Sequence, residues 1–457
     1  MTYQTINPYT NTLVRSYPDA GNSDLEDALA RGHALYKHWR GGQADLRSKI
    51  LHGVARLMGE DRTRLSGLIT MEMGKRISES QAEVDICISI ADYFADHAEE
   101  LLKPTTLETD TGHGHVVKQA LGVLIMVEPW NFPYYQIMRV FAPNFILGNP
   151  MILKDASNIP ACAQAFADIV ERAGAPKGSL SNLRMDYGQV DKAIADRRVA
   201  GVALTGSERG GSSVARSAGE HLKKSTMELG GNDVFIVLDD ADMSEVARLA
   251  PDARLGNTGQ VCCASKRFIV MESKYDEFMD IMTEAFAKPK PGDPSDPATT
   301  LGPMSSVGAR DNLQKQVDAA VDAGAHVAYG NERLDSPGAF FQPTVLTDIA
   351  PDNPVYDQEM FGPVAAVYKV ESVREALDLA NDSSYGLGSV IVSGDPERAE
   401  RVAEGIETGM GFINGPWTTA PGLPFGGVKN SGFGRELYTY GFDAFANEHL
   451  ILDESGR

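Results

Sequence analysis

Residues 121–154, LGVLIMVEPWNFPYYQIMRVFAPNFILGNPMILK, decide the fold. Two short apolar runs, VLIMV at 123–127 and MILK at 151–154, bracket a stretch with helical spacing over roughly 136–147. Strands that are apolar on both faces are covered on both sides, and parallel neighbours need a crossover, usually a helix. The unit repeats downstream, with a helical pattern at 161–172 closed by Gly174, then VALT at 202–205. The alternation then restarts: a strand at 234–238, a helix at 243–255, a strand at 268–271 and a helix at 275–287. Between the two series lies MELGGN at 227–232, whose paired glycines suit a crossing between domains near Gly230. Upstream, residues 24–60 carry helical periodicity through Leu25, Ala28, Leu35, Ile50, Leu51, Val54 and Leu57. Residues 112–119 and the tail after Tyr438 fit neither series and read as extended arms. An α/β protein built on parallel sheets is expected.

Composition narrows the function. Against 42 basic residues stand 63 acidic ones, a net charge of −21, which opposes nucleic acid and anionic membrane as partners. An anionic substrate would meet a repulsive mean field and would need a local cation. The most membrane-like stretch, 131–153, is interrupted by Pro133, Pro143 and Pro150 and carries Arg139, so no spanning helix is expected. Residues 1–11, MTYQTINPYTN, lack the basic and apolar regions of a secretory signal. Four cysteines (Cys87, Cys162, Cys262 and Cys263) are too few for a disulfide framework, and the adjacent pair could bond only with strain. They read as thiols of a cytoplasmic protein. His113 and His115 have no acidic or cysteine ligand beside them, so no metal is expected.

Three places carry chemistry. In GQVC at 259–262, a cysteine just after a Gly-Gln turn could present a thiolate to substrate; buried packing is the ordinary role of a lone cysteine. Glu228, wedged between Met227 and Leu229, would have its pKa raised toward the range of a general base, though a solvated turn acid or a helix cap has the same sequence. Asn131, in the proline-stiffened loop EPWNFP after the first strand, offers an amide that could stabilise an oxyanion; a satisfied turn asparagine is the alternative.

Together these blocks resemble the NAD(P)-dependent aldehyde dehydrogenases over essentially the whole chain. The matching blocks are PWNFP at 129–133, ELGGN at 228–232, GQVC with Arg267 beyond it, EMFGPV at 359–364 and PFGGVKNSGFGRE at 424–436. The resemblance implies a Rossmann-like parallel-sheet cofactor domain (residues 1–110 and 121–229), an α/β catalytic domain (230–422) and small oligomerisation arms (111–120 and 438–457), with 423–437 returning to the cofactor domain. It implies Cys262 as nucleophile, Glu228 as base and Asn131 as oxyanion donor: thiolate addition to an aldehyde, hydride loss to the nicotinamide, then hydrolysis of a thioester. Trp130, Lys154, Leu229, Glu359 and Phe361 fall where the family meets the dinucleotide. The turn with Gly206 and Ser207 would face the pyrophosphate, although by itself it reads as a plain strand-to-helix turn without G-x-G-x-x-G. NAD-preferring relatives often have Glu at the position of Ser157, so NADP is the preferred cofactor, with NAD possible; Asp155, in place of a common proline, adds a nearby negative charge.

Within the family, NTGQVCCASKRF resembles the succinate-semialdehyde branch, which implies a carboxylate-bearing aldehyde as substrate. That branch has an arginine matching Arg139, two helical turns after Asn131, where a forked donor could meet a carboxylate. An interhelix salt bridge is the other role such an arginine takes. Thr418 and Thr419 could supply hydroxyl donors instead. Gly256 stands where the branch commonly has a polar residue, and Arg254 lies nearby. A cysteine hydrolase or acyltransferase, or a non-catalytic protein on the same fold, would leave the cofactor positions unexplained. The arms imply a homodimer or homotetramer.

Overall fold

The computed structural model describes residues 2–40, 42–334 and 336–454. Five strands, Lys224–Glu228, Val199–Thr205, Val123–Val127, Met151–Lys154 and Leu180–Asn182, lie parallel in that order, and Gly432–Phe433 closes the Lys224–Glu228 edge antiparallel. The central run is buried on both faces, as its unbroken apolar sequence demands, and pairs Ile125 with Ile152 and Val202. The crossover helix Tyr135–Leu147 is buried along its whole length. The expected helix over 136–147 is present with Pro143 inside it; it runs on to Gly148, whose φ of +100° ends it with an N–H to the carbonyl of Asn144. The periodicity of 24–60 divides into two helices, Asn22–Trp39 and Ala44–Glu60.

A second, seven-stranded sheet holds Val234–Val237, Arg267–Met271, Val364–Val370 and Gly388–Val392 at its centre, all parallel. Thr344–Thr347 and Met410–Ile413 extend it parallel on either side, and His326–Tyr329 is an antiparallel edge. The third sheet is antiparallel, with Gly112–Ala120 between Thr105–Thr109 and Ala446–Asp453. It therefore starts before the expected arm at 111, and the last expected arm residues, 455–457, lie outside the described ones. Among the described residues no helix is long and apolar enough to cross a membrane.

The sheets meet in a way that sets the site. Glu128, Thr205 and Glu228 sit at the C-terminal ends of three neighbouring strands of the first sheet. Residues 230–232, 259–263 and 359–363 lead into strands of the second sheet at their N-terminal ends. Ligand-binding loops of a parallel sheet gather at its C-terminal edge. Here that edge faces the entry loops of the second sheet.

Candidate active site

The nucleophile's turn is a backbone oddity. After the helix Met243–Leu255 come Asn257 and Thr258 at φ 51° and 55°, then Gly259 at 74°. A β-branched residue in the left-handed region is strained and persists only when its surroundings hold it. Here they do. The N–H of Asn257 donates to Glu79 at 2.9 Å, Thr258 Oγ1 to the carbonyl of Gly302 at 3.1 Å, and Gln260 Nε2 to the carbonyl of Asn257 at 3.1 Å. Lys266 Nζ, fully buried, donates to the carbonyls of Val261 (3.0 Å) and Cys262. Arg254, also fully buried, donates to the carbonyls of Met360 and Val364 at 2.7 Å each and to that of Gly362. It thus ties the nucleophile's turn to the 359–364 loop, and it does not reach out to substrate. No atom lies within 4 Å of the space a side chain on Gly256 would enter.

Cys262 lines a cleft of about 280 Å³ together with Asn131, Trp130, Gly206, Leu229 and Phe361. A hydrogen bond with Cys263, then the charges of Arg139 and Lys266, bring its thiol down to about 7 against the effect of burial. Much of it is thiolate near neutrality. All four cysteines are free thiols, and Cys263 is buried behind the nucleophile. Asn131 is aimed by two bonds: its Nδ2 donates to the carbonyl of Gln260 at 3.1 Å, and its own carbonyl accepts from Asn257 Nδ2 at 3.0 Å. The amide is held two residues from the sulfur-bearing position. A larger hollow of about 800 Å³, walled by Tyr275, Tyr356 and Asp382 among others, shares no residue with this cleft.

Glu228 is buried and turned away from the cleft, toward the PFGG loop. A Cβ on Gly426 would lie 2.5 Å from its Oε1, which is why that position carries no side chain. Burial, then the charge of Glu436, push its carboxyl well above the usual range. Glu128 is shifted the same way by the same two causes. Neither oxygen of Glu128, Glu228 or Glu436 has a hydrogen-bond partner. Three buried carboxyls face one buried guanidinium, Arg139, so burial and mutual repulsion oppose ionisation while the one cation favours it.

Arg139 is where the structure departs furthest from the sequence reading. It was expected on the wall of the substrate pocket. It is instead wholly buried, with Nε 2.7 Å from Glu436 Oε2, in an ion pair too oblique to count as a hydrogen bond. Its guanidinium stacks over Phe425 at 4.1 Å and Tyr135 at 4.8 Å. A charge needs a partner inside a core, and Glu436 was the acid at hand. Thr419 Oγ1 shares a 2.6 Å hydrogen bond with Tyr135 Oη, and Thr418 is exposed. Gln136, overlooked in the sequence, lines the cleft with its Oε1 unpartnered.

At the other end, Trp130 and Phe361 meet edge to face, centroids 5.7 Å apart. Glu359 Oε1 accepts from the N–H of Gly231 at 3.1 Å and lies 3.3 Å from Lys266 Nζ. The paired glycines have a steric reason: a Cβ on Gly230 would sit 2.5 Å from Glu359 Oε2, and one on Gly231 2.6 Å from the carbonyl of Cys262. Ser207 caps the helix Glu208–Glu220, accepting from the N–H of Gly210 at 3.3 Å, with Gly206 just before it. The first N–H groups of that helix are a place for phosphate. Lys154 Nζ donates to the carbonyl of Asp155 at 2.6 Å, and Ser157 is half-buried two residues on. Among the described residues no group of three or more His, Cys, Asp or Glu could hold a metal.

A thiolate enters on a loop of the second sheet, and an amide and a phosphate-ready helix start enter from the C-terminal edge of the first. That division of labour suits covalent chemistry on a substrate beside a bound nucleotide: a cysteine-dependent dehydrogenase. The model of the aldehyde dehydrogenase family matches residues 1–451. The succinate-semialdehyde dehydrogenase [NADP(+)] of Deinococcus radiodurans is 45% identical over 98% of this chain and 94% of its own. The probable enzyme of that name from Synechocystis is 40% identical over 99% of each chain. The crystal structure of succinic semialdehyde dehydrogenase from Streptococcus pyogenes, in complex with NADP+, superimposes with a TM-score of 0.98 at 53% identity, covering 99% of both chains. The chain belongs to the aldehyde dehydrogenase family.

Proposed function

We propose that the protein oxidises succinate semialdehyde to succinate with NADP+. The observation that carries the reading is the junction at Gln260, whose carbonyl anchors the Asn131 amide two residues from the Cys262 thiol. The substrate and cofactor in the names of the relatives above support it. The residues present suit a dinucleotide: Gly206 and Ser207 at a helix start, Trp130 and Phe361 as aromatic walls, Leu229 beneath, Glu359 near the thiol, and no acid at Ser157 to repel a 2′-phosphate. When bound, NADP+ accepts the hydride.

The rest is this chain's own work. The Cys262 thiolate adds to the aldehyde carbon, and the oxygen gains negative charge. Asn131 Nδ2 and the N–H of Cys262 stabilise that charge. After hydride loss the acyl group remains on Cys262 as a thioester. Glu228, turned back toward the cleft for this step, takes a proton from the water that attacks the thioester; burial and the charge of Glu436 raise its carboxyl, as a base requires. Arg139 serves as fixed charge beneath Tyr135 and lowers the thiol. Tyr135 and Thr419 offer their hydroxyls to the far end of the substrate, with Thr418 at the rim.

The strand Ala446–Asp453 is a sheet edge that exposes Leu450, Ile451 and Leu452. An edge of this kind pairs, so the protein assembles as a homodimer or homotetramer. Light scattering at micromolar concentration should give a multiple of 49.3 kDa. Four free thiols suit the cytoplasm. The test of function is the absorbance of NADPH at 340 nm. Succinate semialdehyde should exceed butanal by more than about tenfold in kcat/KM, a difference of about 1.4 kcal/mol in transition-state binding. Equal rates would remove the carboxylate from the account.

A further inference from the structure

Beside Lys154, where the proposed reading puts the dinucleotide, lies a buried acid for which the reaction above has no use. Asp155 follows Lys154 at the end of the strand Met151–Lys154 and is wholly buried. Its carboxylate oxygens find no hydrogen-bond partner beyond a contact with their own backbone N–H. Its main-chain carbonyl is the group that Lys154 Nζ grips at 2.6 Å and that Tyr3 Oη approaches at 3.4 Å. The lysine charge also lies 5.4 Å from the ring centre of Tyr3. The lysine is thus parked on its own chain beside an uncompensated acid.

The charges around this acid come from every element packed on it. Lys154 is on its own strand, Glu72 on the helix Arg62–Met73, Tyr3 on the strand Tyr3–Asn7, and Arg184 just beyond the strand Leu180–Asn182. Glu72 and Asp155 repel one another, and only one of them is well placed to be an anion. Glu72 accepts from Thr5 Oγ1 and from the N–H groups of Ala161 (3.0 Å) and Cys162 (2.8 Å). Asp155 has no such donors. Burial lifts both, but the acid without donors is the one that keeps its proton. Burial, opposed by Lys154 and helped by Glu72, pushes Asp155 up to about 7.

We propose that Asp155 is a proton-gated determinant of cofactor choice: neutral, it leaves the full Lys154 charge to a 2′-phosphate; ionised, it offsets that charge and repels the phosphate. Preference for the phosphorylated dinucleotide therefore falls as pH rises through neutrality. The inference rests on the proposed use of NADP+, and it takes Lys154, where the family meets the dinucleotide, as the cation beside the adenosine 2′-phosphate.

The sign follows from linkage. If the neutral acid favours the phosphorylated ligand, binding raises the pKa of Asp155 and draws a proton from solution. Calorimetry on the full-length protein near pH 7.5, in buffers of different ionisation enthalpy, should show more proton uptake with NADP+ than with NAD+. The 2′-phosphate itself titrates near pH 6 and is already dianionic there. In Asp155→Asn the extra uptake should vanish. That variant should bind adenosine 2′,5′-bisphosphate about fivefold tighter than wild type at pH 8.5 and equally at pH 6, as expected for one neighbouring charge removed. Phosphate titration acts on both proteins and cancels in their ratio. Equal uptake for the two dinucleotides in wild type, or parallel pH profiles in wild type and Asp155→Asn, would overturn the proposal. A third arm separates the two readings. Lys154→Met should abolish the preference for the 2′-phosphorylated probe. If it does and Asp155→Asn has no pH-dependent effect, only the role of Asp155 falls; if Lys154→Met leaves the preference intact, the reading of the whole loop falls with it.

Discussion

The turn that carries Cys262 and the loop that follows Lys154 serve the two ends of the proposed reaction but are built differently. The first is over-determined. Two fully buried cations, Arg254 and Lys266, spend their donors on backbone carbonyls around it, and three consecutive left-handed residues are pinned by side-chain bonds. The second is under-determined: Lys154 donates to a carbonyl of its own chain, Ser157 is half-buried, and Asp155 has an unanswered carboxyl. Covalent chemistry needs the nucleophile and its oxyanion donor fixed to a fraction of an ångström. Cofactor choice needs only a few adjustable charges, which a small number of substitutions can retune. Rigidity sits where the bond is made.

The comparison can be broken at several points. Cys262→Ala should remove roughly 10⁴-fold or more of the activity while dinucleotide affinity, measured by fluorescence titration, stays unchanged. Turnover surviving on Cys263 would show that the rigid turn presents the wrong thiol. Arg139→Ala leaves Glu436 buried without its partner and should cost about 3–5 kcal/mol in denaturant unfolding. Its activity loss should be similar for succinate semialdehyde and butanal; a loss confined to the semialdehyde would return Arg139 to the substrate wall. Asn131→Ala should lower kcat by about 10² to 10³ with KM for NADP+ unaltered. Ser157→Glu should be the smallest in rate and the clearest in selectivity, moving the NADP+ to NAD+ ratio of kcat/KM by about tenfold or more toward NAD+.

The pH dependence follows from the thiol. With Cys262 at about 7, the rate of the hydride-forming burst should rise as pH climbs through neutrality and level off above it, because the thiolate attacks. A burst insensitive to pH between 6 and 8 would argue against a free thiol titrating there.

Legibility in the sequence followed the same physical division. The strands Val123–Val127 and Met151–Lys154 and the helix Met243–Leu255 stand where their patterns put them, because buried parallel strands are apolar on both faces and helices show their period. Lys224–Glu228 was hidden: KSTME reads as polar, and only its position inside a sheet makes it a strand. The order of the second sheet beyond Ala287 was equally silent. Cys262, Asn131 and Glu228 were legible through motifs, while their supports were not. That Arg139 pairs with Glu436, or that Arg254 knits two loops, depends on which carbonyl or acid folding brings near, and a single sequence with many of each does not say which.

The most direct test of the central claim uses Glu228→Gln. The variant is mixed with succinate semialdehyde and NADP+, quenched in acid within the first turnover, and read by intact-protein and peptide mass spectrometry. The account predicts one equivalent of NADPH and a succinyl thioester on the peptide containing Cys262, accumulating because the water is no longer activated. No adduct, an adduct on Cys263, or steady turnover at the wild-type rate would contradict it.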